Sequence, residues 1–241
     1  GAISPGELLE NVTYTLADAP AEQLQLSSLD PLKYVETPAA LKATIQTAMA
    51  APESRAKLLR FFVKWLEVKE PNEFTISAVD FPQFNPNLIE AILRETQLFL
   101  NNALGKGAPT LKDVTQSSIS FVPKAMADLY DLDPNSIVDG GPISLDPTKR
   151  LGVFSQPSVI ASHSGPSTPR PMKRGVFWLR KVMCLDMEPP PKGVDTTIPD
   201  TVKGSERQKI ETVTNQAACM GCHTAINPFG FFHSNFDTIG K

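Results

Sequence analysis

Long apolar runs are missing from this chain of 241 residues. Nowhere do about 18 apolar residues follow one another, so no segment is expected to cross a membrane. Basic excess is missing too: 23 Lys and Arg stand against 26 Asp and Glu, for a net charge of -3, which leaves no basic stripe for nucleic acid. The opening residues, Gly1 to Gly6, have no charged stretch followed by an apolar one, so no signal peptide is expected there. Strand-like alternation is scarce and no internal repeat is visible. Cysteine and histidine are rare, with 3 of each.

Rare as they are, two cysteines and one histidine stand together in Cys219-Met220-Gly221-Cys222-His223. C-x-x-C-H is the attachment pattern of a c-type haem. Two thiols three residues apart can form thioethers with the two vinyl groups on one porphyrin edge, and the next residue then offers an imidazole to the iron. A closed zinc site competes for the same residues but needs four ligands, and only Cys184, His163 and His233 remain to complete one. A C-x-x-C redox disulfide is the other rival, but it belongs after a strand in a βαβ unit, and none is evident. The expected cofactor is therefore one covalent haem c, with Cys219 and Cys222 as attachment points and His223 as proximal ligand. In bacteria haem c is attached outside the cytoplasmic membrane, so the motif implies a periplasmic or otherwise exported protein and a chain that is a mature or excised piece.

The fold is expected to be mainly α, a helical N-terminal domain followed by a small cytochrome c-like haem module. Helices are expected over Pro5 to Leu16, Pro38 to Met49 and Ser54 to Val68, the last with Leu58, Phe62 and Trp65 on its apolar face and the last two packed as a hairpin. The clearest runs from Asn85 to Leu104, with Asn85 as N-cap and Pro86 at the first helical position. Glu53, Glu67, Glu90 and Glu95 read as solvated helix positions. Further helices are expected over Val122 to Tyr130, Ser155 to Ser162 and Lys173 to Leu185, with a turn-rich connection at 131–150 and a short hairpin around Ile143 to Leu145. Pro189-Pro190-Pro191 opens a proline-rich, polar linker. The expected boundaries are a helical domain at 1–188, a linker at 189–204 and the haem module at 205–241. Ser205 to Gln208 has capping-box spacing, so a helix should run from Glu206 toward Ala218 and deliver Cys219.

Beyond the motif, Asn227 to Phe232 is expected to turn over the haem. Pro228 would set the bend, Gly230 would allow close backbone approach, and Phe229, Phe231 and Phe236 would supply apolar walls that exclude water. Lys173 and Arg174 read as a solvated helix start, with propionate pairing as the alternative.

The run from Cys219 to Phe231, with Asn235-Phe236-Asp237 and Ile239-Gly240, resembles the haem module of a family of large secreted bacterial cytochrome c-like proteins built from several domains of unknown function. Phe62 to Leu66, Phe81 to Phe84, Arg94-Glu95-Thr96, Arg150 to Val153, Lys173-Arg174-Gly175, Met183-Cys184 and the Pro189 run resemble the preceding helical domain of that family. The resemblance implies a mostly helical electron-transfer protein without a defined substrate, and relatives that usually continue past the position of Lys241. His233 departs from the family pattern and reads as an exposed or propionate-contacting residue.

The sixth iron position decides the chemistry: Met or a second His closes it for electron transfer, and an open position permits peroxidase or oxygen chemistry. Lys241 lies only 18 residues past His223, so a distal ligand is expected from upstream, from beyond the chain, or not at all. His163, in a stretch that resembles a His-bearing segment of the relatives, is the first candidate and Met172 the second. Met183 fits packing, and Cys184 is the odd thiol, paired elsewhere or inert. The expected function is single-electron transfer as a subunit or fragment of a larger redox assembly, with redox proteins as partners. A haem enzyme, peroxidase-like or feeding an oxidative domain, and a scaffold subunit with a structural haem are the alternatives. No catalytic dyad stands out.

Overall fold

The computed structural model describes residues 2–26, 29–106, 109–189 and 201–241, and it is mainly α-helical. The expected linker at 189–204 falls largely on residues 190–200, outside the described residues. The chain forms two compact units, 1–65 with 100–113, and 66–99 with 114–241.

In the first unit, α1 (Pro5–Ala17) starts on a reciprocal cap: Ser4 Oγ accepts from the Glu7 amide at 3.3 Å and Glu7 Oε2 accepts from the Ser4 amide at 2.7 Å. A single turn, α2 (Leu32–Val35), leads into α3 (Pro38–Ala50), capped by Thr37, and α4 (Pro52–Trp65). The expected pairing of α3 with α4 is present, and both also pack on α1. Their core is built from small side chains, Ala17, Ala19, Ala21 and Ala48 around Leu9, Leu24 and Leu26. Phe62 is buried on α4 as expected, whereas Leu58 is exposed.

The second unit is organised by α5 (Pro86–Leu104) up to Phe99. Asn85 Oδ1 accepts from the amides of Asn87 and Leu88 at 3.1 Å, the expected N-cap. Leu88, Ala91 and Ile92 pack with Phe84, Val122, Met126, Leu129, Ala161 and Ile239. Each large apolar side chain buried this way contributes about 1.5–3 kcal/mol. A short α6 (Leu111–Thr115) precedes β1 (Ile119–Val122), which pairs antiparallel with β2 (Gly141–Ser144), Ile119 opposite Ser144 and Val122 opposite Gly141. Val122 thus ends a strand instead of opening a helix, because its partner lies across the turn-rich stretch; helical backbone, of 3-10 type, begins only at Lys124. The buried α7 (Pro157–Ser162) follows, then α8 (Pro171–Phe177), which relaxes into a π-helical turn at Trp178–Val182 instead of running regularly to Leu185.

Glu95 is not solvated. It is 0% exposed, its Oε1 accepts from Ser120 Oγ at 2.6 Å and from the Tyr130 hydroxyl, and its Oε2 has no hydrogen-bond partner among the described residues. Burial pushes its carboxyl up to about 7, against the opposing pull of those two hydroxyls. Between about pH 4.5 and 7 the folded state therefore holds a proton that the unfolded chain has lost, and this group's contribution falls by roughly 3 kcal/mol as pH rises. His163 and His233, each held down at about 4 by burial, run the opposite way, adding stability as pH rises toward 6.5. The test is accordingly a difference: Glu95→Gln keeps the acceptor but not the charge, and its urea midpoint is expected to gain on wild type between pH 5 and pH 7. A gap between the two proteins that stays constant over that range would contradict this reading.

Candidate functional site

Two helices in the second unit build the site. Ser205 and Gln208 cap α9 (Glu206–Thr214) reciprocally, as their spacing implied. The helix ends at Thr214, and α10 (Ala217–Phe231) begins before the first motif cysteine. Cys219 is therefore not delivered at a helix end; the whole motif lies in the first two turns of α10.

Residues three apart share a helix face, so Cys219 and Cys222 form one edge. Both are free thiols, Cys222 exposed and Cys219 half-buried. A side chain at Gly221 would meet nothing within 4 Å, so the helix is open on the side Gly221 occupies, away from the cysteine edge. His223 is half-buried, and its Nδ1 lies 2.9 Å from Asn227 Oδ1, one turn on. Asn227 Nδ2 donates to Thr214 Oγ1 at 3.0 Å, and Thr214 Oγ1 donates to the Ile210 carbonyl at 2.8 Å. His223 and Met220 open on a cleft of about 760 Å³ whose other walls include Gln208, Glu211, Thr214 and Asn227. That volume lies within the range of about 300–1,000 Å³ usual for ligand pockets.

The donor set fits a thioether-linked haem. Both thiols are unpaired and on one face, and the neighbouring imidazole opens on the cleft, whose walls include neither cysteine. Among the described residues no group of three or more His, Cys, Asp or Glu converges on a point. The further ligands of a closed zinc site are thus not assembled around the motif.

The other sequence candidates lie elsewhere. His163 is 3% exposed, caps α7, stacks against Phe177 at 4.1 Å and has its Nε2 2.9 Å from the Leu66 carbonyl. Of its two ring nitrogens, Nε2 is thus engaged with backbone in this structure. Met172 sits in the first turn of α8, where its Cε reaches the backbone of α10 at Gly230. Gly230 is seven residues from His223, about 10 Å along the helix axis. Neither residue lines the cleft.

The expected turn over the cofactor is absent. The chain stays helical through Pro228 to Phe231, although the proline removes the hydrogen bond its N–H would have made one turn back and sets its ring against the carbonyl four residues earlier. Phe229 stacks on Trp178 at 6.3 Å, Phe231 lies under the Arg207 guanidinium at 4.8 Å, and Phe236 lies beside Arg150 at 4.8 Å. All three pack in the domain, and none lines the cleft. His233 is buried instead of exposed, accepting at Nδ1 from Trp178 Nε1 at 3.2 Å. Arg174 is no solvated residue either: it is 2% exposed and donates to the carbonyls of His233, Phe236 and Asp237 and to Ser164 Oγ. Burial lowers its guanidinium to about 10, so it remains charged. Cys184 is exposed, with a positive φ of 54°. Asn227 and Thr214 were missed by sequence reasoning; the i+4 spacing of Asn227 from His223 was the available signal.

A family model described as PSD4: Protein of unknown function (DUF1592) matches residues 3–132, and one described as PSCyt3: Protein of unknown function (DUF1588) matches residues 150–241. The chain belongs to the DUF1592 family. These two are domains of a multidomain cytochrome c-like family. No curated protein and no solved structure matches the chain. In this DUF1592 protein the DUF1588 match begins at Arg150 and takes in α7, α8 and the motif together. The packing agrees: α10 lies against α8, and residues 205–241 belong to the larger of the two compact units instead of standing alone.

Proposed function

We propose that this DUF1592 chain is an exported c-type cytochrome carrying one haem, which passes single electrons within a larger redox assembly. The observation that carries the reading is the pair of free thiols on one face of α10 beside an imidazole that opens on a cleft. Cys219 and Cys222 would hold the haem through thioethers, and His223 would ligate it through Nε2. When bound, the haem supplies one-electron exchange at iron. The chain's own part would be to anchor the porphyrin edge, offer one axial ligand from one side and present both on a single helix. A carrier of one electron needs a donor and an acceptor, so redox proteins are the expected partners.

The chain expressed in a host with a c-type maturation system is expected to give a two-thioether pyridine haemochrome spectrum and the mass of one covalent haem. The double variant Cys219→Ser/Cys222→Ser should retain none. Wild-type protein without covalent haem under those conditions would overturn the reading.

A second reading, a five-coordinate haem with peroxidase-like activity, is favoured by one observation: His163 and Met172 both lie off the cleft that His223 lines. Carbon monoxide separates the two. A ferrous spectrum that shifts on adding it supports the open site, and a low-spin spectrum that ignores it supports the carrier.

A further inference from the structure

The hydrogen bonds behind His223 assign a proton, and the assignment can be read from the buried end of the chain. Thr214 is buried, and its hydroxyl has a single hydrogen, which goes to the Ile210 carbonyl at 2.8 Å. Thr214 Oγ1 can then only accept from Asn227, at 3.0 Å, and only the Nδ2 end of the Asn227 amide can donate. The amide is thereby oriented, with Oδ1 toward His223. Oδ1 accepts and cannot donate, so the ring nitrogen 2.9 Å away, Nδ1, carries the imidazole proton. In a neutral imidazole the other nitrogen, Nε2, is then left with its lone pair.

We infer that Asn227 is a positioning residue, held by Thr214, that keeps His223 in the Nδ1–H tautomer and so presents Nε2 as a ready ligand for iron. The inference rests on the haem reading above for the identity of the metal, but the tautomer is a property of the chain alone. Asn227 bonds the proposed ligand at Nδ1, the nitrogen turned away from iron, so its influence on bound iron runs through the basicity of the imidazole. An acceptor on Nδ1–H raises that basicity and favours ferric over ferrous iron. Removing it makes the ring a poorer donor, and the reduction potential rises. Partners of this kind typically change metal affinity or activity by about 10- to 100-fold.

The test has an arm without haem. In the full-length apoprotein, uniformly labelled with ¹⁵N, long-range proton–nitrogen correlation at pH 8 is expected to show the His223 ring as Nδ1–H. Asn227→Leu should shift it to predominantly Nε2–H, whereas Asn227→Asp, which keeps an acceptor, should retain Nδ1–H. In the haem-loaded protein, Asn227→Leu should raise the potential and Asn227→Asp should lower it. Each tenfold change in the ferric-to-ferrous affinity ratio corresponds to about 59 mV. If Asn227→Leu does not fold, Thr214→Val frees the amide without removing it and should give mixed tautomers and an intermediate potential, with Thr214→Ser restoring wild-type values. A wild-type ring in the Nε2–H form, or Leu and Val variants that keep both tautomer and potential, would overturn the inference. Failure of the function reading looks different: the wild-type chain takes up no haem c while the tautomers behave as stated.

Discussion

Arg174→Ala is expected to destabilise the second unit by about 3–5 kcal/mol and to loosen everything beyond α10. One guanidinium satisfies four acceptors: the carbonyls of His233 (3.0 Å), Phe236 (3.2 Å) and Asp237 (2.8 Å) and the Ser164 hydroxyl (2.8 Å). Truncation strands these groups, and each buried acceptor left unmade costs about 1–3 kcal/mol, less where water reaches it. Arg150 holds the same segment further on, donating to the Gly240 carbonyl at 2.6 Å and to the Leu129 carbonyl, and its partial redundancy keeps the loss below the simple sum. Lysine at 174 should recover only part of the loss, since an ammonium cannot reproduce the planar fork that reaches acceptors on two sides. The measurement is the urea midpoint together with the rate of limited proteolysis at 232–241. An Arg174→Ala protein within about 1 kcal/mol of wild type would show that the four bonds are replaced by water without penalty.

Alanine at Gly175 or Gly230 is expected to force α8 and α10 apart. A Cβ on Gly175 would lie 2.4 Å from the Ile226 carbonyl oxygen and 2.9 Å from the Gly230 amide nitrogen. One on Gly230 would lie 2.6 Å from the Pro171 carbonyl oxygen. These neighbours are backbone, so no side-chain rotation relieves the overlap. Helix propensity alone would favour alanine by about 1 kcal/mol; the overlap costs more than the 1–3 kcal/mol usual for overpacking, and it wins. Gly221 is the internal control, because a Cβ there meets nothing and Gly221→Ala should leave stability equal or slightly higher. Thermal midpoints of the three single variants decide the matter, with Gly175→Ala and Gly230→Ala falling well below wild type. The double variant should cost less than the sum, since the two glycines face each other across one contact. Because α10 carries the motif, the haem reading proposed above expects the same variants to lower the yield of covalent haem as well.

Close approach at Gly230 was legible in the sequence, but what approaches was not: the neighbour is helix α8. Similar limits apply elsewhere. The caps at Asn85 and Ser205 were readable because a cap is made within four residues. Glu95 was misread because its partners, Ser120 and Tyr130, come from a strand and a 3-10 turn well downstream, and a helical pattern says nothing about hydroxyls arriving from outside. Pro228 suggested a turn on local grounds, yet packing of α10 against α8 keeps the backbone helical through it.

By itself the sequence determined the cluster Cys219, Cys222 and His223, the dominance of helix and the absence, among the described residues, of a helix long and apolar enough to cross a membrane, all of which depend on neighbours along the chain. Tertiary structure alone decided that Arg174 and His233 are buried, that His163 spends its Nε2 on the Leu66 carbonyl, and that Thr214 orients Asn227 behind His223. The physical reason is range. Thiol spacing and helix caps are set by covalent geometry over a few residues, whereas burial and hydrogen-bond partners are set by which distant segments the hydrophobic core brings together.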